Sequence, residues 1–245
     1  MKECSKSITR RLADSNFSSR YFVGNGVDIG GKPDPLVLYR ELFHGITDLK
    51  TWDWDDGDAQ FMHGVQDGTF DFVHSSHCLE HLVAPAEGLR NWFRILRPNG
   101  FLIVTVPDED LYEQGLFPST FNADHKWSFS IYKRQSWCSQ SLNIIDLILT
   151  LGDEAELIRI EQLSATYRYN LPRFDQTLTP VGECGIEFIV RKRPQSEIAD
   201  KGRWRRPADQ PEREIRLHLN QYRDDMRNMK KNNNGAPPFL NDSDL

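Results

Sequence analysis

The 245-residue chain carries 30 Lys and Arg against 36 Asp and Glu, a net charge of -6, and 38% hydrophobic residues. This balance argues against a general nucleic-acid binder, which needs a strongly basic surface, and the length suits one α/β domain with extensions. No apolar run approaches the roughly 18 residues of a transmembrane helix, and the start of the chain lacks the apolar core of a signal peptide. The four cysteines have no paired spacing, so we expect free thiols and a cytoplasmic protein.

The first strand of the chain leads into a pair of glycines. Residues 1–20 are polar and rich in serine, and we expect an N-terminal arm or a short covering helix there. A short strand over residues 26–29 then runs into Gly30 and Gly31, where the lack of side chains lets a ligand approach the backbone closely. The negative charge of Asp28 would repel phosphate and suits a cationic or hydroxyl-bearing ligand better. A tight strand-to-helix turn without a ligand explains the two glycines equally well.

The next elements are predicted as a short helix over residues 36–43, a second strand over 45–49 that ends in an acid, and an acidic, aromatic loop over 52–62 that leads to a brief strand. Residues 70–73 are dominated by aromatic and β-branched residues, which is typical of a buried strand. The polar residues 74–78 follow at its carboxyl end. In open α/β sheets this is the edge at which ligands bind.

The second half of the predicted domain continues the alternation. An amphipathic helix over residues 84–96 ends at the stop signal Arg97-Pro-Asn-Gly100. The apolar run 101–106 is typical of a parallel strand covered on both faces. We expect a further helix over 136–151 and two alternating strands over 155–160 and 184–190.

The composition changes near residue 195. Residues 196–245 carry ten Lys and Arg against nine Asp and Glu and few core-forming residues. Within residues 212–231 the apolar side chains recur at the heptad spacing of an amphipathic helix: Ile215, Leu219, Tyr222, Met226 and Met229. We favour a helix docked on its own domain, because so short a stripe is marginal as an autonomous coiled coil. A homodimer contact is the alternative.

Ligand-type side chains are dense after the strand over 70–73, which raises the question of a metal. They are His74, His77, Cys78 and His81. A zinc site normally brings two pairs of ligands together from separate elements. Here one histidine is on a strand and two lie near one helix start, so a single ion could reach at most two or three of the four. We therefore predict no metal site, and packing or capping roles for most of this group.

Two segments carry a resemblance to a known family: residues 70–81 (FDFVHSSHCLEH) and residues 89–107 (LRNWFRILRPNGFLIVTVP). Together with the strand, acid and glycines upstream, they resemble the class I S-adenosylmethionine-dependent methyltransferases, particularly the small-molecule and glycan-modifying kind. The resemblance implies an α/β fold with a Rossmann-like, seven-stranded, mostly parallel sheet and helices on both faces. It also implies three parts: an N-terminal arm (1–20), a methyltransferase domain (21–195) and a C-terminal tail (196–245).

The same resemblance implies a set of cofactor-binding residues: Asp28, Gly30, Gly31, Asp48, Asp58, Ala59, Ser75 and Ser76. The first acid and the glycine loop contact the methionine part of S-adenosylmethionine in that family. The acid that ends the second strand binds the ribose hydroxyls, and Asp48 fits best by position, with Asp53 as the second choice. Asp58 and Ala59 resemble the turn that recognises adenine. Lys32 departs from the pattern, because the family usually has another glycine there.

A base is needed only when the methyl acceptor is a hydroxyl or a protonated amine, and histidine titrates in the right range. The catalytic candidates are His125, in the loop after the predicted 101–106 strand, and His77, at the edge of the cofactor. A supporting or packing role is equally consistent with either histidine. Candidate acceptor contacts are Asp108, Tyr112 and Trp127.

We therefore expect O- or N-methylation of a small molecule or sugar, in polysaccharide or natural-product biosynthesis, without a nucleic-acid or membrane partner. The alternative is a catalytically inactive methyltransferase-like module that serves binding or assembly.

Overall fold

The computed structural model describes residues 3–202 and 225–229. Its strands are β1 (Gly24–Ile29), β2 (Ile46–Trp52), β3 (Phe70–Ser76), β4 (Leu96–Pro107), β5 (Ser128–Ser130), β6 (Ser141–Asn143), β7 (Ala155–Gln162) and β8 (Gly185–Lys192). The main sheet has the order β2-β1-β3-β4-β8-β7, and β5 and β6 form a separate pair. Strands β2, β1, β3 and β4 are parallel, whereas β8 runs antiparallel to both β4 and β7.

The helices are α1 (Glu3–Ala13), α2 (Pro85–Arg94), α3 (Ile144–Leu149) and α4 (Gln195–Ala199). A π-helical turn spans Phe17–Tyr21, and short 3-10 helices span Leu36–Leu42, Leu79–His81 and Gln176–Leu178. Helix α2 begins with Pro85 in its first turn, where the missing N–H costs no hydrogen bond.

Side chains alternate between the two faces along the inner strands, so a hydrophobic core lies on each face of the sheet. On β4, Leu102 and Val104 pack into the cluster that contains Trp92 of α2, whereas Ile103 packs into the cluster that contains Ile8 of α1. Each of these β4 side chains is fully buried, and burial of one such side chain is worth about 1.5–3 kcal/mol. The sheet is therefore covered on both sides, as the apolar run in β4 predicts.

The predicted fold class is confirmed, with six strands in the main sheet where seven were expected. Residues 53–69 contain no strand, although a brief one was predicted after the acidic loop. Side-chain hydrogen bonds hold this segment away from a sheet edge: Gln60 Nε2 donates to Glu87 Oε2 (2.6 Å), and Gln60 Oε1 accepts from the backbone N–H of Ala84 (2.9 Å). The loop is tied to the start of α2 instead of pairing with a strand.

The helix predicted over residues 136–151 is wrong in extent, because α3 begins only at Ile144. The buried carboxylate of Glu109 accepts hydrogen bonds from Ser136 Oγ and Ser141 Oγ, each at 2.6 Å. These bonds hold the first half of the segment in an extended course that includes β6. The helical spacing of its apolar residues could not reveal a distant carboxylate.

Contacts divide the chain into two compact units, Met1–Ile198 and Ala199–Leu245. In the second unit, residues 225–229 are helical. The rest of the amphipathic helix predicted over 212–231 lies outside the described residues, and so does most of the apolar stripe behind the homodimer hypothesis. Within the part of the chain that the structure describes, no helix is both long and apolar enough to cross a membrane.

Candidate active site

The parallel strands β1, β2, β3 and β4 end at one edge of the sheet. Ile29 of β1 pairs with Trp52 of β2 on one side and with Ser75 of β3 on the other. Ser76 at the end of β3 pairs with Thr105 of β4. The glycine loop and the segment after β3 are therefore neighbours at the edge where α/β sheets bind ligands.

The loop after β1 requires its two glycines. Gly30 has φ +71°, and a Cβ there would lie 2.6 Å from Cβ of Cys78. A Cβ on Gly31 would lie 2.4 Å from Oδ2 of Asp28. The loop is held by a hydrogen bond from Gly30 N–H to the carbonyl of Trp52 (2.8 Å). The backbone thus approaches its neighbours more closely than any side chain would permit.

A buried network fixes the acid in front of this loop. Asp28 Oδ2 accepts from the N–H of Leu36 (2.7 Å), and Oδ1 lies 2.6 Å from His74 Nδ1. His74 Nε2 lies 3.0 Å from a guanidinium nitrogen of Arg11, which can only donate. His74 Nδ1 therefore carries the hydrogen and donates to Asp28. Burial lowers the pKa of His74 against the opposing effect of Asp28, which agrees with a neutral ring.

A cavity of about 260 Å³ opens beside the glycine loop. Its lining comes from four parts of the chain: the loop residues 30–34, the end of β3 with its following turn, residues Asn122 and Asp124 of the loop after β4, and Glu3 with Cys4 of α1. Carboxylates are frequent among these residues, which favours a cationic ligand. Helix α1 contributes to this wall although the sequence predicted only an arm or a covering helix.

His77 occupies an unusual backbone position at this cavity. Its φ is +54°, a conformation that non-glycine residues rarely adopt, and its N–H donates to the carbonyl of Thr105 (2.9 Å). Strained residues of this kind cluster at ligand-binding and catalytic sites. The ring lies between two carboxylates, with Nδ1 3.3 Å from Glu80 Oε1 and Nε2 3.7 Å from Glu3 Oε2. Burial lowers the pKa of His77, but the two carboxylates outweigh it and the pKa ends above the ordinary 6.5.

His125 lies behind this wall and does not line the cavity. Its side chain is fully buried, with Nδ1 2.9 Å from Glu113 Oε1 and Nε2 3.9 Å from Glu80 Oε1. The ring of Tyr112 packs beside it at 5.1 Å between centroids. Both histidines proposed from the sequence therefore converge on Glu80, which was not among the predicted site residues.

The arrangement of the sheet is similar to that of several solved structures. An S-adenosylmethionine-dependent methyltransferase from Mesorhizobium loti matches at 11% identity and a TM-score of 0.50, over 76% of this chain and 98% of its own. A protein from Listeria monocytogenes assigned to the same class matches at 11% identity and a TM-score of 0.51, over 79% of this chain and 99% of its own. At such low identity these likenesses show the fold alone. No curated protein sequence gives a significant match.

A family model described as a methyltransferase domain matches residues 7–141, more than half of the chain. The chain belongs to the methyltransferase family. It is an enzyme of the class I S-adenosylmethionine-dependent group, and S-adenosylmethionine is its methyl donor. This confirms the resemblance seen in residues 70–81 and 89–107.

The residues at the edge formed by the glycine loop have the chemistry that a bound cofactor would need. Gly30 and Gly31 provide a close backbone approach, and Ser76 lines the cavity beside them. Asp28 also lines the cavity, but both of its carboxylate oxygens are engaged by protein groups. Asp28 therefore stabilises the conformation of the loop in addition to lining the cavity. Ser75 is buried, and its Oγ donates to the carbonyl of Ile29 (3.0 Å), so it joins two strands.

The two candidate ribose acids of the methyltransferase lie at opposite ends of β2. Asp48 is exposed and pairs with Asn25 near the start of β1, about 13 Å along the strand from Trp52. Asp53 directly follows Trp52, and its Oδ2 accepts from the N–H of Lys32 in the glycine loop (3.0 Å). The placement therefore favours Asp53 over Asp48. The predicted second strand ended at Leu49, three residues before β2 ends in the structure.

The remaining predicted cofactor contacts lie in the turn after β2. Asp58 is exposed, and its Oδ1 accepts from Gln60 N–H (2.8 Å). The carbonyl of Ala59 accepts from Trp92 Nε1 (2.8 Å), which fastens the turn to α2. Lys32 points its Nζ to Asp55 at 3.0 Å, and both side chains are largely exposed. The charge of Lys32 is therefore paired with Asp55, away from the glycine loop.

The predicted acceptor contacts are not among the cavity-lining residues of the methyltransferase. Asp108 is buried and accepts from Leu111 N–H (2.9 Å), and burial raises its pKa to about 6. Tyr112 is buried beside His125, and Trp127 packs against the main core. The neighbouring Asn122 and Asp124 line the cavity instead.

Two residues of the site escaped the sequence analysis. Glu3 lies at the site because α1 packs against the domain through Cys4, Ile8 and Arg11. These residues form the buried stripe of an amphipathic helix, and that pattern is visible in the sequence. The sequence signal for Glu80 is weaker. It is an acidic residue between Leu79 and Leu82, in the segment that follows a buried strand.

Proposed function

We propose that this methyltransferase methylates a hydroxyl or amine of a small molecule or sugar, with His77 as the base. The observation that carries the proposal is the cavity itself, which is lined by Gly30 and Gly31 of the glycine loop and also by His77. When bound, S-adenosylmethionine supplies a methyl group already activated on a sulfonium. The protein then has to orient the acceptor, exclude water and remove a proton.

His77 is suited to the removal of this proton. Glu80 lies near Nδ1 and favours the tautomer that carries hydrogen there, which leaves the lone pair of Nε2 for the acceptor. The fixed left-handed backbone holds the ring in place. A carboxylate that orients a histidine in this way is a common arrangement for general bases. His125, the first choice from the sequence, has its Nε2 buried away from the cavity.

The small size and acidic lining of the cavity support a compact acceptor over nucleic acid. Asn122 and Asp124 supply amide and carboxylate groups that can bind hydroxyls of a sugar or a small polyol. A cytoplasmic location and a role in polysaccharide or natural-product biosynthesis stay predictions.

The test is turnover of S-adenosylmethionine against a panel of sugars, phenols, polyols and small amines, with product identified by mass spectrometry. We expect methylation of at least one small acceptor. Cofactor binding without consumption across the panel would contradict the proposal and favour the inactive module. Methylation of RNA or protein alone would contradict the acceptor class.

A further inference from the structure

We propose that Glu80, His81 and His125 form a binding site for a divalent transition-metal ion of the zinc type. One ligand atom from each residue lies within 4.8 Å of the other two. The residues come from two segments, the Leu79–His81 turn and the loop after β4, which explains why inspection of residues 74–81 alone predicts no site.

The hydrogen bonds of the two histidines leave the correct ring nitrogen free. His81 Nδ1 lies 3.1 Å from the carbonyl of Asp124, which can only accept, so this nitrogen carries the hydrogen. His125 Nδ1 lies 2.9 Å from the carboxylate of Glu113 and is a donor for the same reason. In each ring Nε2 therefore presents a lone pair towards Glu80. Metal-bound histidines characteristically donate their other N–H to a carbonyl or carboxylate in this way.

Two of the three groups make no hydrogen bond among the described residues, although His77 Nδ1 lies 3.3 Å from Glu80 Oε1. Both carboxylate oxygens of Glu80 and Nε2 of His125 are buried without a hydrogen bond. The carboxylate of Glu80 and the Nε2 lone pair of His125 face each other in a buried place, which is unfavourable unless a positive charge lies between them. Buried polar groups of proteins are normally paired, so this cluster points to a missing cation.

The spacing favours a metal ion over a shared proton. Glu80 Oε1 lies 3.9 Å from Nε2 of His125 and 4.0 Å from Nε2 of His81. Both separations are too long for a direct hydrogen bond. Ligand atoms around a tetrahedral zinc ion with bonds of about 2.0–2.1 Å lie about 3.4 Å apart. Shortening these two distances by about 0.5–0.6 Å would bring them to that spacing.

The two segments are already joined by backbone hydrogen bonds, so the site is prepared before an ion enters. The carbonyl of Glu80 accepts from the N–H of Lys126 (2.9 Å) and of Trp127 (3.3 Å). His81 is the ligand that also lines the cavity, and its side chain is 34% exposed. Two nitrogens and one oxygen suit zinc, and three protein ligands leave a coordination position open on the side of the cavity.

Zinc titration of tag-free, chelator-treated, full-length protein by calorimetry tests this inference. We expect one equivalent to bind, and Co²⁺ in its place to give visible absorption bands typical of a four-coordinate site. Glu80→Gln and His81→Ala should each weaken zinc affinity at least about 100-fold, and Glu113→Gln about 10–100-fold. The exposed His44 is the matched control, and His44→Ala should bind zinc like the wild type.

The buried His125 could fail to fold as alanine, so the partly exposed His81 and the isosteric Glu80→Gln carry the test. Absence of stoichiometric zinc binding to the wild type would overturn the inference. Unchanged zinc affinity in both His81→Ala and Glu80→Gln would also overturn it. The titration does not depend on methyl transfer, and His77→Ala should still bind zinc. A failed acceptor screen and a failed metal site are therefore distinguishable.

Discussion

Nδ1 of His77 lies 3.3 Å from Oε1 of Glu80, where β3 gives way to the Leu79–His81 turn. The carboxylate is fully buried. Burial raises its pKa, but the neighbouring histidines outweigh this effect and keep the pKa of Glu80 below its ordinary value. Glu80 is thus an ionised group at the centre of the site. It faces the proposed base on one side and the proposed metal ligands on the other.

His77→Ala should lower kcat/KM for a hydroxyl acceptor by about 10²–10⁴-fold, because the proton of the acceptor loses its base. The affinity for S-adenosylmethionine should change by less than about threefold, since the glycine loop is untouched. Steady-state kinetics and calorimetry measure the two effects separately. His63→Ala, at an exposed position, is the control. A wild-type rate in His77→Ala would remove this residue from catalysis.

Glu3→Gln should shift the pH dependence of the reaction. Glu3 is the strongest of the neighbours that raise the pKa of His77, so its neutralisation lowers that pKa towards 6.5. The neutral imidazole is the active base, and the rate rises as pH passes upward through the pKa. The acid limb of the kcat/KM profile should therefore move to lower pH. An unmoved limb would show that His77 does not control the profile, provided that the exposed Glu41→Gln behaves like the wild type.

Asp53→Asn should weaken the binding of S-adenosylmethionine about 10–100-fold, because hydrogen bonds from ribose hydroxyls to a charged carboxylate are worth about 1.5–3 kcal/mol. Asp48→Asn removes the same charge from the far end of β2 and should leave the dissociation constant unchanged. Calorimetry on the two variants decides between them. Loss of affinity in Asp48→Asn alone would restore the assignment made from the sequence.

Glu187→Gln should lower the free energy of unfolding by about 3–5 kcal/mol, because it leaves the buried Arg11 without its carboxylate and removes one of the two carboxylates that pair with Arg10. Glu187 Oε1 lies 2.7 Å from Arg10 and Oε2 lies 2.8 Å from Arg11. Urea unfolding at neutral pH measures the change. The exposed pair of Arg94 and Asp67 is the comparison, and Asp67→Asn should cost no more than about 1 kcal/mol. Equal losses in the two variants would contradict the importance of burial.

The same ion pairs predict how stability depends on pH. Burial raises the pKa of Glu187, but Arg11 and Arg10 outweigh it and lower the pKa to about 2 from the ordinary 4.5. A depressed pKa stabilises the folded state fully above 4.5, and this contribution is lost as pH falls from 4.5 towards 2. In Glu187→Gln, unfolding between these two values should depend less steeply on pH than in the wild type. Parallel acid-unfolding curves would contradict this.

The sequence by itself determined the parts that depend on local pattern. The apolar run in β4 and the aromatic and β-branched residues at the start of β3 predict buried strands, because period and composition decide burial. The glycines after β1 and the segments 70–81 and 89–107 indicate the family from the sequence alone. The edge of the sheet at which a ligand is expected also follows from these features.

Only the tertiary structure decided which side chains meet. It brought His125 to Glu80 across a loop, put Asp53 beside the glycine loop in place of Asp48, and seated Glu3 of α1 in the wall of the cavity. Apart from the amphipathic stripe of α1, none of these contacts has a period or a spacing in the sequence. They depend on where the loops lie once the sheet has formed. They also depend on carboxylates such as Glu109, which binds Ser136 of a segment distant in the sequence.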